Sequence, residues 1–129
     1  MDNVPFPFTI EIGGKPIAKA DVSAQDHTQA ELGQKPAVFT LANGRLQNGD
    51  WIMGRDVTEN RSFLPKQVSW YKANAENERR VQSVTAKKEA SHYQLIFTKG
   101  KLMADEDGLI LVDLLGESNS EVKVVPRDN

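Results

Sequence analysis

The sequence predicts a single all-β domain spanning residues 1–129, built as a small barrel or a sandwich. Apolar and polar residues alternate along most apolar segments, which is the period of a strand and not of a helix. Asn-Gly, Asp-Gly and Gly-Gly pairs separate these segments, and such pairs are typical of tight turns. About ten to twelve short strands result, at the spacing of barrels and sandwiches. Three repeats of 43 residues are also consistent, since 129 divided by three is 43.

The chain begins with a predicted edge strand. In residues 6–12 the even positions are apolar, and Gly13-Gly14 then turns the chain. Pro7 cannot donate a hydrogen bond to a neighbouring strand, so we expect this strand at the edge of its sheet. Residues 15–20 are expected to return as a second strand. Residues 21–35 are predicted as a polar loop in preference to a short helix, because their apolar stripe is thin.

The middle of the chain predicts a three-stranded meander followed by a long loop. Asn43-Gly44 and Asn48-Gly49 both lie between apolar segments, and Asn-Gly is the strongest short hairpin signal. Residues 54–65 then form a loop, and loops of this length are usually functional or mobile. In the second half we expect strands at residues 67–72, 80–85, 93–98, 101–104, 109–115 and 121–125, with polar turns at residues 74–78, 87–90 and 105–108.

Composition excludes several classes of function. The net charge is −2 and 26% of residues are charged, which argues against a nucleic-acid partner. The chain has no cysteine, so disulfides and thiolate metal sites are excluded, and a reducing compartment is expected. The N-terminus resembles no signal peptide, and no window reaches the ~18 apolar residues of a membrane span. We therefore expect a cytoplasmic protein without a membrane partner.

Candidate catalytic and metal-ligating residues are few. His27 and His92 have no partners at a spacing that indicates a nucleophile, and we expect neither to be catalytic. The Asp105–Gly108 run lacks the full spacing of a calcium loop, and Asp-Gly between apolar segments is an ordinary hairpin turn. No phosphate-binding glycine loop is present. The sequence thus predicts a binding protein and not an enzyme, with no cofactor and no metal.

Residues 54–66 are the one segment that the sequence pattern explains neither as a core strand nor as a turn. Residues 53–68 read MGRDVTENRSFLPKQV. This stretch resembles one in small fungal, mushroom-type serine protease inhibitors, which are cysteine-free β-trefoil proteins. Their stretch runs roughly Gly/Ser-Arg, then Glu-Asp-Arg-Ser-Leu, then Pro-Lys and an aliphatic residue. The resemblance covers about residues 38–126, although this chain has about 35 additional N-terminal residues and stops about one repeat early.

The resemblance implies a β-trefoil that presents an Arg-bearing loop to a trypsin-like serine protease. Arg55 and Arg61 are the two possible primary contacts, and the sequence leaves open which of them is exposed. Asp56 and Asn60 depart from the family pattern, since a neutral polar residue and an acid are expected there. The protease-contact loop implied by the resemblance comprises Gly54, Arg55, Asp56, Asn60, Arg61 and Ser62.

Two other functions stay open at the level of sequence. A lectin-like, carbohydrate-binding β-trefoil would stack sugars on exposed aromatic rings, and the candidates are Trp51, Trp70 and Tyr71, although aromatics at strand spacing are more often core. A non-catalytic assembly protein would pair with a second copy through an exposed edge strand, for which residues 6–12 are the candidate. Exposure of these rings and of this edge separates the alternatives.

Overall fold

The computed structural model describes residues 1–21 and 23–127, and these residues are all-β apart from one short helix. The prediction of an all-β protein is confirmed. The described strands, numbered β1 to β13 in chain order, are Phe8–Ile12, Lys15–Pro16, Thr28–Gln29, Thr40–Ala42, Arg45–Asn48, Trp51–Gly54, Lys66–Gln67, Ser69–Lys72, Thr85–Glu89, His92–Ile96, Lys101–Ala104, Ile110–Asp113 and Val122–Pro126, and the helix α1 is Ala75–Arg80.

The strands pair into four antiparallel sheets. The largest has the order β3-β8-β6-β5-β4, and the others have the orders β13-β1-β2, β11-β12-β7 and β10-β9. Within the described residues none of the four closes on itself as a barrel, so the trefoil stays a prediction. No helix of the described residues is long and apolar enough to cross a bilayer.

The predicted meander is present and sets the start of the long loop. Asn43 and Gly44 adopt φ angles of 54° and 77°, and they join β4 to β5. Gly49 adopts a φ of 54° in the turn that joins β5 to β6. Strand β8 pairs with β6, whereas β7 pairs with β12 in another sheet. The loop between β6 and β7 is therefore held at both ends by different sheets.

The predicted edge position of the first strand is wrong. Strand β1 lies between β13 and β2, and Phe8, Ile10 and Ile12 are buried. Pro7 lies just before the strand, where its carbonyl accepts a hydrogen bond from Arg127 N at 2.9 Å, so its missing N–H disturbs no pairing. The strand that covers β1 comes from the other end of the chain. A homodimer through residues 6–12 would need an unpaired strand edge, and β1 is paired on both sides.

Further segments differ from the prediction, among them residues 87–89, which belong to strand β9 and not to the predicted turn. Residues 75–80, expected as part of a polar turn and a strand, form helix α1, because Asn74 Oδ1 accepts a hydrogen bond from Asn77 N at 2.8 Å and caps its start. Within the predicted loop 21–35, Thr28–Gln29 pairs with β8 as strand β3. Val22 of that loop lies outside the described residues.

The turn at residues 105–108 is confirmed. Asp105 Oδ1 accepts hydrogen bonds from the backbone N–H groups of Asp107 and Leu109, both at 2.9 Å, and Gly108 has a φ of 78°. Among the described residues, no group of His, Asp and Glu side chains is arranged to hold a metal ion. The acidic run therefore joins β11 to β12 as an ordinary hairpin turn.

The hydrogen bonds of Asp113, at the end of β12, predict that the fold loses stability in acid. Its Oδ2 accepts a hydrogen bond from Ser118 N at 2.7 Å and its Oδ1 one from Leu115 N at 3.1 Å. The bond from Ser118 above all holds the pKa of Asp113 below its ordinary value of 3.8. The ionised carboxylate therefore stabilises the fold above that value, and this stabilisation is lost as the pH falls through the lower folded-state pKa.

We expect Asp113→Asn to lower the free energy of unfolding at pH ~7 and to flatten its decline between pH ~5 and pH ~2. Urea unfolding at a series of pH values measures both effects. Asp107→Asn is the matched control, since the Asp107 carboxylate accepts no hydrogen bond within the described residues and only its backbone N–H donates, to Asp105. Identical acid profiles for the wild type and Asp113→Asn would contradict the assignment.

Candidate functional site

The loop of residues 55–65 leaves β6 at Gly54 and enters β7 at Lys66. Gly54 is buried, and a Cβ added there would lie 2.6 Å from Cγ1 of Val81. Glycine is required at this position because the backbone packs directly against a branched side chain. Gly54 thus fixes the start of the loop and does not present a contact to a partner.

Arg55 braces the first half of the loop from inside. The residue is only 6% exposed, and its guanidinium donates to Glu59 through Nε at 3.1 Å and through Nη2 at 2.7 Å. Nη1 donates to the carbonyls of Phe97 at 2.6 Å and Thr98 at 3.1 Å. A two-pronged charged pair of this kind fixes orientation as well as position. Arg55 therefore ties the loop to the turn after β10.

Asp56 also forms hydrogen bonds within the protein. Its carboxylate accepts hydrogen bonds from Thr58 N at 2.8 Å, from the Tyr71 hydroxyl at 3.2 Å and from Arg80 Nη2 at 3.3 Å. Burial, followed by the neighbouring Asp56 carboxylate, raises the pKa of Tyr71 above its ordinary value of 10.0. The Tyr71 hydroxyl consequently stays protonated and donates to Asp56.

Lys66 organises the second half of the loop. This residue is 7% exposed, and its ammonium donates to the Asn60 carbonyl at 3.0 Å, to Asn60 Oδ1 at 2.6 Å and to Ser62 Oγ at 3.4 Å. Ser62 N donates in turn to Asn60 Oδ1 at 3.1 Å, and Leu64 N to Ser62 Oγ at 3.4 Å. Residues 60–64 are thus wrapped around one buried ammonium group.

The outer surface of this turn is basic and apolar. Arg61 is exposed, and its side chain forms no ion pair within the described residues. Phe63 is 71% exposed and Leu64 is 72% exposed. Large apolar side chains this exposed and adjacent are unusual on a soluble surface, and they often mark a protein-binding site. The turn therefore exposes one arginine and two apolar side chains.

The structure separates the residues that the resemblance placed together. Gly54 and Arg55 are buried and Asp56 is half-buried, whereas Asn60, Arg61 and Ser62 are exposed on the projecting turn. Glu59 pairs with Arg55 and not with Arg61, which is nearer in the sequence. The acid at position 56, a departure from the family pattern, has internal partners and does not face a protein partner.

Sequence reasoning missed Lys66 as the centre of the turn and the two exposed apolar residues beside Arg61. A weak signal for the latter exists, since Phe-Leu before Pro65 interrupts an otherwise polar loop. No local signal marks Lys66, because its acceptors lie four to six residues back in an irregular segment.

A polar cleft of about 530 Å³ lies beside the loop, lined among others by His27, Asp56, Leu64, Ser69 and Tyr71. The His27 ring packs on Tyr71 with the centroids 4.8 Å apart, and its Nε2 lies 3.3 Å from Arg80 Nη1. His92 is exposed on β10, away from the loop. The cleft separates the projecting turn from the body of the protein.

The three aromatic residues considered for sugar stacking are not free platforms. Trp70 and Tyr71 are buried, and the Trp70 ring stacks on Phe39 with the centroids 5.6 Å apart. Trp51 is half-buried and packs against the core. The exposure that a lectin-like function requires of these rings is absent for Trp70 and Tyr71.

Comparison with known proteins finds no matching family model, no matching curated protein and no matching solved structure.

Proposed function

We propose that the protein inhibits a trypsin-like serine protease and that Arg61 is the primary contact. One observation carries this proposal above all: Arg61 is exposed and forms no ion pair within the described residues, on a turn whose neighbouring residue Asn60 is held by Lys66 Nζ. An arginine of this kind fits a protease pocket that is lined by a carboxylate, where its planar group pairs with two oxygens at once.

The shape of the loop supports inhibition over ordinary cleavage. A loop that is already ordered loses little conformational entropy on binding, so more of the contact energy appears as affinity. Arg55 and Lys66 fix the two halves of the loop independently. Phe63 and Leu64 add apolar area next to Arg61, at about 25 cal/mol for each Å² removed from water.

The exposure of the side chains favours a protease over a glycan as the partner. The projecting surface includes Arg61, Phe63 and Leu64, and arginine and phenylalanine are enriched at the centre of protein–protein interfaces. Of the rings that would stack on sugars, Trp70 is part of the core, Tyr71 is buried and Trp51 is half-buried against the core. Assembly through β1 is not supported, because β1 lies between β13 and β2 and has no exposed edge.

The trefoil-like arrangement expected from the resemblance belongs to the same proposal. It is supported by a ring of contacts in the order β1, β4, β5, β9, β10 and β13. Phe8 and Phe39 exchange backbone hydrogen bonds at 3.0 Å and 2.6 Å, which joins β1 to β4, and Val84 N donates to Gly44 O at 2.8 Å, which joins the start of β9 to the β4–β5 turn. Strand β13 pairs with β1 and contacts β10.

The proposal is tested by titrating active trypsin with the protein and following hydrolysis of a small chromogenic substrate. We expect an inhibition constant below about 1 μM, because rigid protease–inhibitor interfaces are among the tightest of their size. Heat-unfolded protein is the control for nonspecific competition as a substrate. Full trypsin activity at about 10 μM folded protein would remove the proposed function.

A further inference from the structure

A second cavity, of about 250 Å³, lies between strands β10 and β11 and the segment that joins β12 to β13. Its apolar lining comes from Leu95 and Leu102, which are buried, and from Val122, which is half-buried. Pockets that bind small molecules combine an apolar lining of this kind with a few converging polar groups. Among the described residues, none lines both this cavity and the cleft beside the projecting turn.

One wall of the cavity carries two opposite charges that are joined by an amide. Glu89 lies at the end of β9 and Lys101 at the start of β11. In the orientation that satisfies both groups, the Gln94 amide donates to Glu89 Oε1 at 3.1 Å and accepts from Lys101 Nζ at 3.3 Å. The ammonium keeps further N–H groups and the carboxylate keeps further lone pairs beyond these contacts. This wall therefore offers donors and acceptors whose charges compensate each other.

A second wall comes from residues 116–120 and is held in place by Asp113. The Asp113 carboxylate accepts hydrogen bonds from Ser118 N at 2.7 Å and from Leu115 N at 3.1 Å, so its charge is directed at the backbone of this segment. Ser118 Oγ donates to Ser120 Oγ at 2.9 Å, and both serines line the cavity. This wall therefore presents hydroxyl groups on a segment that is already ordered, so that binding costs little ordering entropy.

We propose that this cavity binds one ring of a neutral polyol, such as a single sugar residue. A hydroxyl group both donates and accepts hydrogen bonds, which matches the mixed groups of the two walls. The half-buried Tyr93 ring adds an aromatic surface for the C–H groups of the ligand, and its edge-to-face contact with Phe6, with the centroids 5.5 Å apart, fixes its orientation. Drug-sized ligands occupy about 300–1,000 Å³, so this cavity suits a smaller molecule. Within the part of the chain that the structure describes, no residue of the loop 55–65 lines the cavity, and binding here is independent of protease inhibition.

The test is a titration of isotope-labelled protein, followed by its amide chemical shifts, with the methyl glycosides of glucose, galactose and mannose and with myo-inositol. We expect saturable shifts of the Tyr93, Gln94 and Lys101 amides with a dissociation constant of about 1 mM, because so small a ligand makes few contacts. Saturation by a glycoside alone would assign the cavity to the end of a glycan, and saturation by myo-inositol would extend it to free polyols, so either result upholds the site. Sodium sulfate and glycine are the charged probes, and binding of either in preference to the polyols would overturn the proposal.

Two variants test the polar wall, and a third is their control. Lys101→Met removes the cation and keeps an apolar chain of similar length, and Gln94→Ala removes the bridge between the charges. Each should weaken binding of the polyol at least about tenfold, the loss expected for one hydrogen bond that involves a charged group. Lys72→Met, at an exposed lysine of β8 that does not line the cavity, should bind as the wild type does.

Trypsin inhibition measured alongside should be the same in all three variants as in the wild type, so failure of this site and failure of the proposed function are distinguishable. Three results would overturn the polyol site: no saturable shift with any polyol at about 50 mM, shifts confined to residues outside the cavity, or equal binding by Lys101→Met and Lys72→Met.

Discussion

Replacing Arg61 by alanine is expected to abolish trypsin inhibition without changing the fold. The residue is exposed and makes no ion pair in the described structure, so its loss should change the free energy of unfolding by no more than about 0.5 kcal/mol. In the complex its guanidinium would pair with a buried carboxylate, and losing such a pair costs about 4 kcal/mol, which is roughly a thousandfold in the inhibition constant.

The matched control for this variant is Arg79→Ala, an exposed arginine on helix α1 whose side chain forms no hydrogen bond or ion pair with the loop within the described residues. It should inhibit as the wild type does. Arg61→Lys should retain most of the inhibition, because a lysine also carries a positive charge into the pocket, although it lacks the planar two-pronged geometry. If Arg61→Ala inhibited as well as Arg79→Ala, another part of the surface would have to make the primary contact.

Replacing Arg55 by alanine should have the largest effect on stability in this region. The variant leaves the Glu59 carboxylate and the Phe97 carbonyl without their buried partner. Removal of one member of a buried charged pair costs about 3–5 kcal/mol. The midpoint of urea unfolding measured by fluorescence should therefore fall strongly, whereas the same measurement on Arg61→Ala should show almost no change.

A double variant separates the lost pair from lost packing. Arg55→Met combined with Glu59→Leu removes both charges, and it should recover part of the stability lost in Arg55→Met alone, because no carboxylate is then left unpaired. Equal stability of Arg55→Ala and the wild type would show that Arg55 is not an internal brace.

The glycine-containing turns and the all-β class could be predicted because their causes are local, whereas the polar segments at residues 74–78 and 87–90, predicted as turns, form helix α1 and part of β9. Asn43-Gly44 and Gly49 adopt positive φ, which these residue types allow most readily. The existence of a long loop after β6 followed from the absence of strand or helix periodicity between Gly54 and Pro65.

The roles within the loop could not be predicted because their causes are distant in sequence. Arg55 is internal since the carbonyls of Phe97 and Thr98 lie beside it, more than forty residues later in the chain. Arg61 points outward because the hydrogen-bond acceptors of this turn, the carbonyl and Oδ1 of Asn60, accept from Lys66 and not from Arg61. Strand β1 is covered by β13 from the opposite end of the sequence, which no local pattern around Pro7 reports.

The central claim, that Arg61 enters the primary pocket of a protease, is tested most directly by exchanging the specificity of the loop. Inhibition constants are measured for the wild type and Arg61→Phe against trypsin, whose pocket contains a carboxylate, and chymotrypsin, whose pocket is apolar. The wild type should favour trypsin by about a hundredfold or more, and Arg61→Phe should reverse this preference. An unchanged ratio between the two proteases, or no inhibition of either by either protein, would contradict the claim.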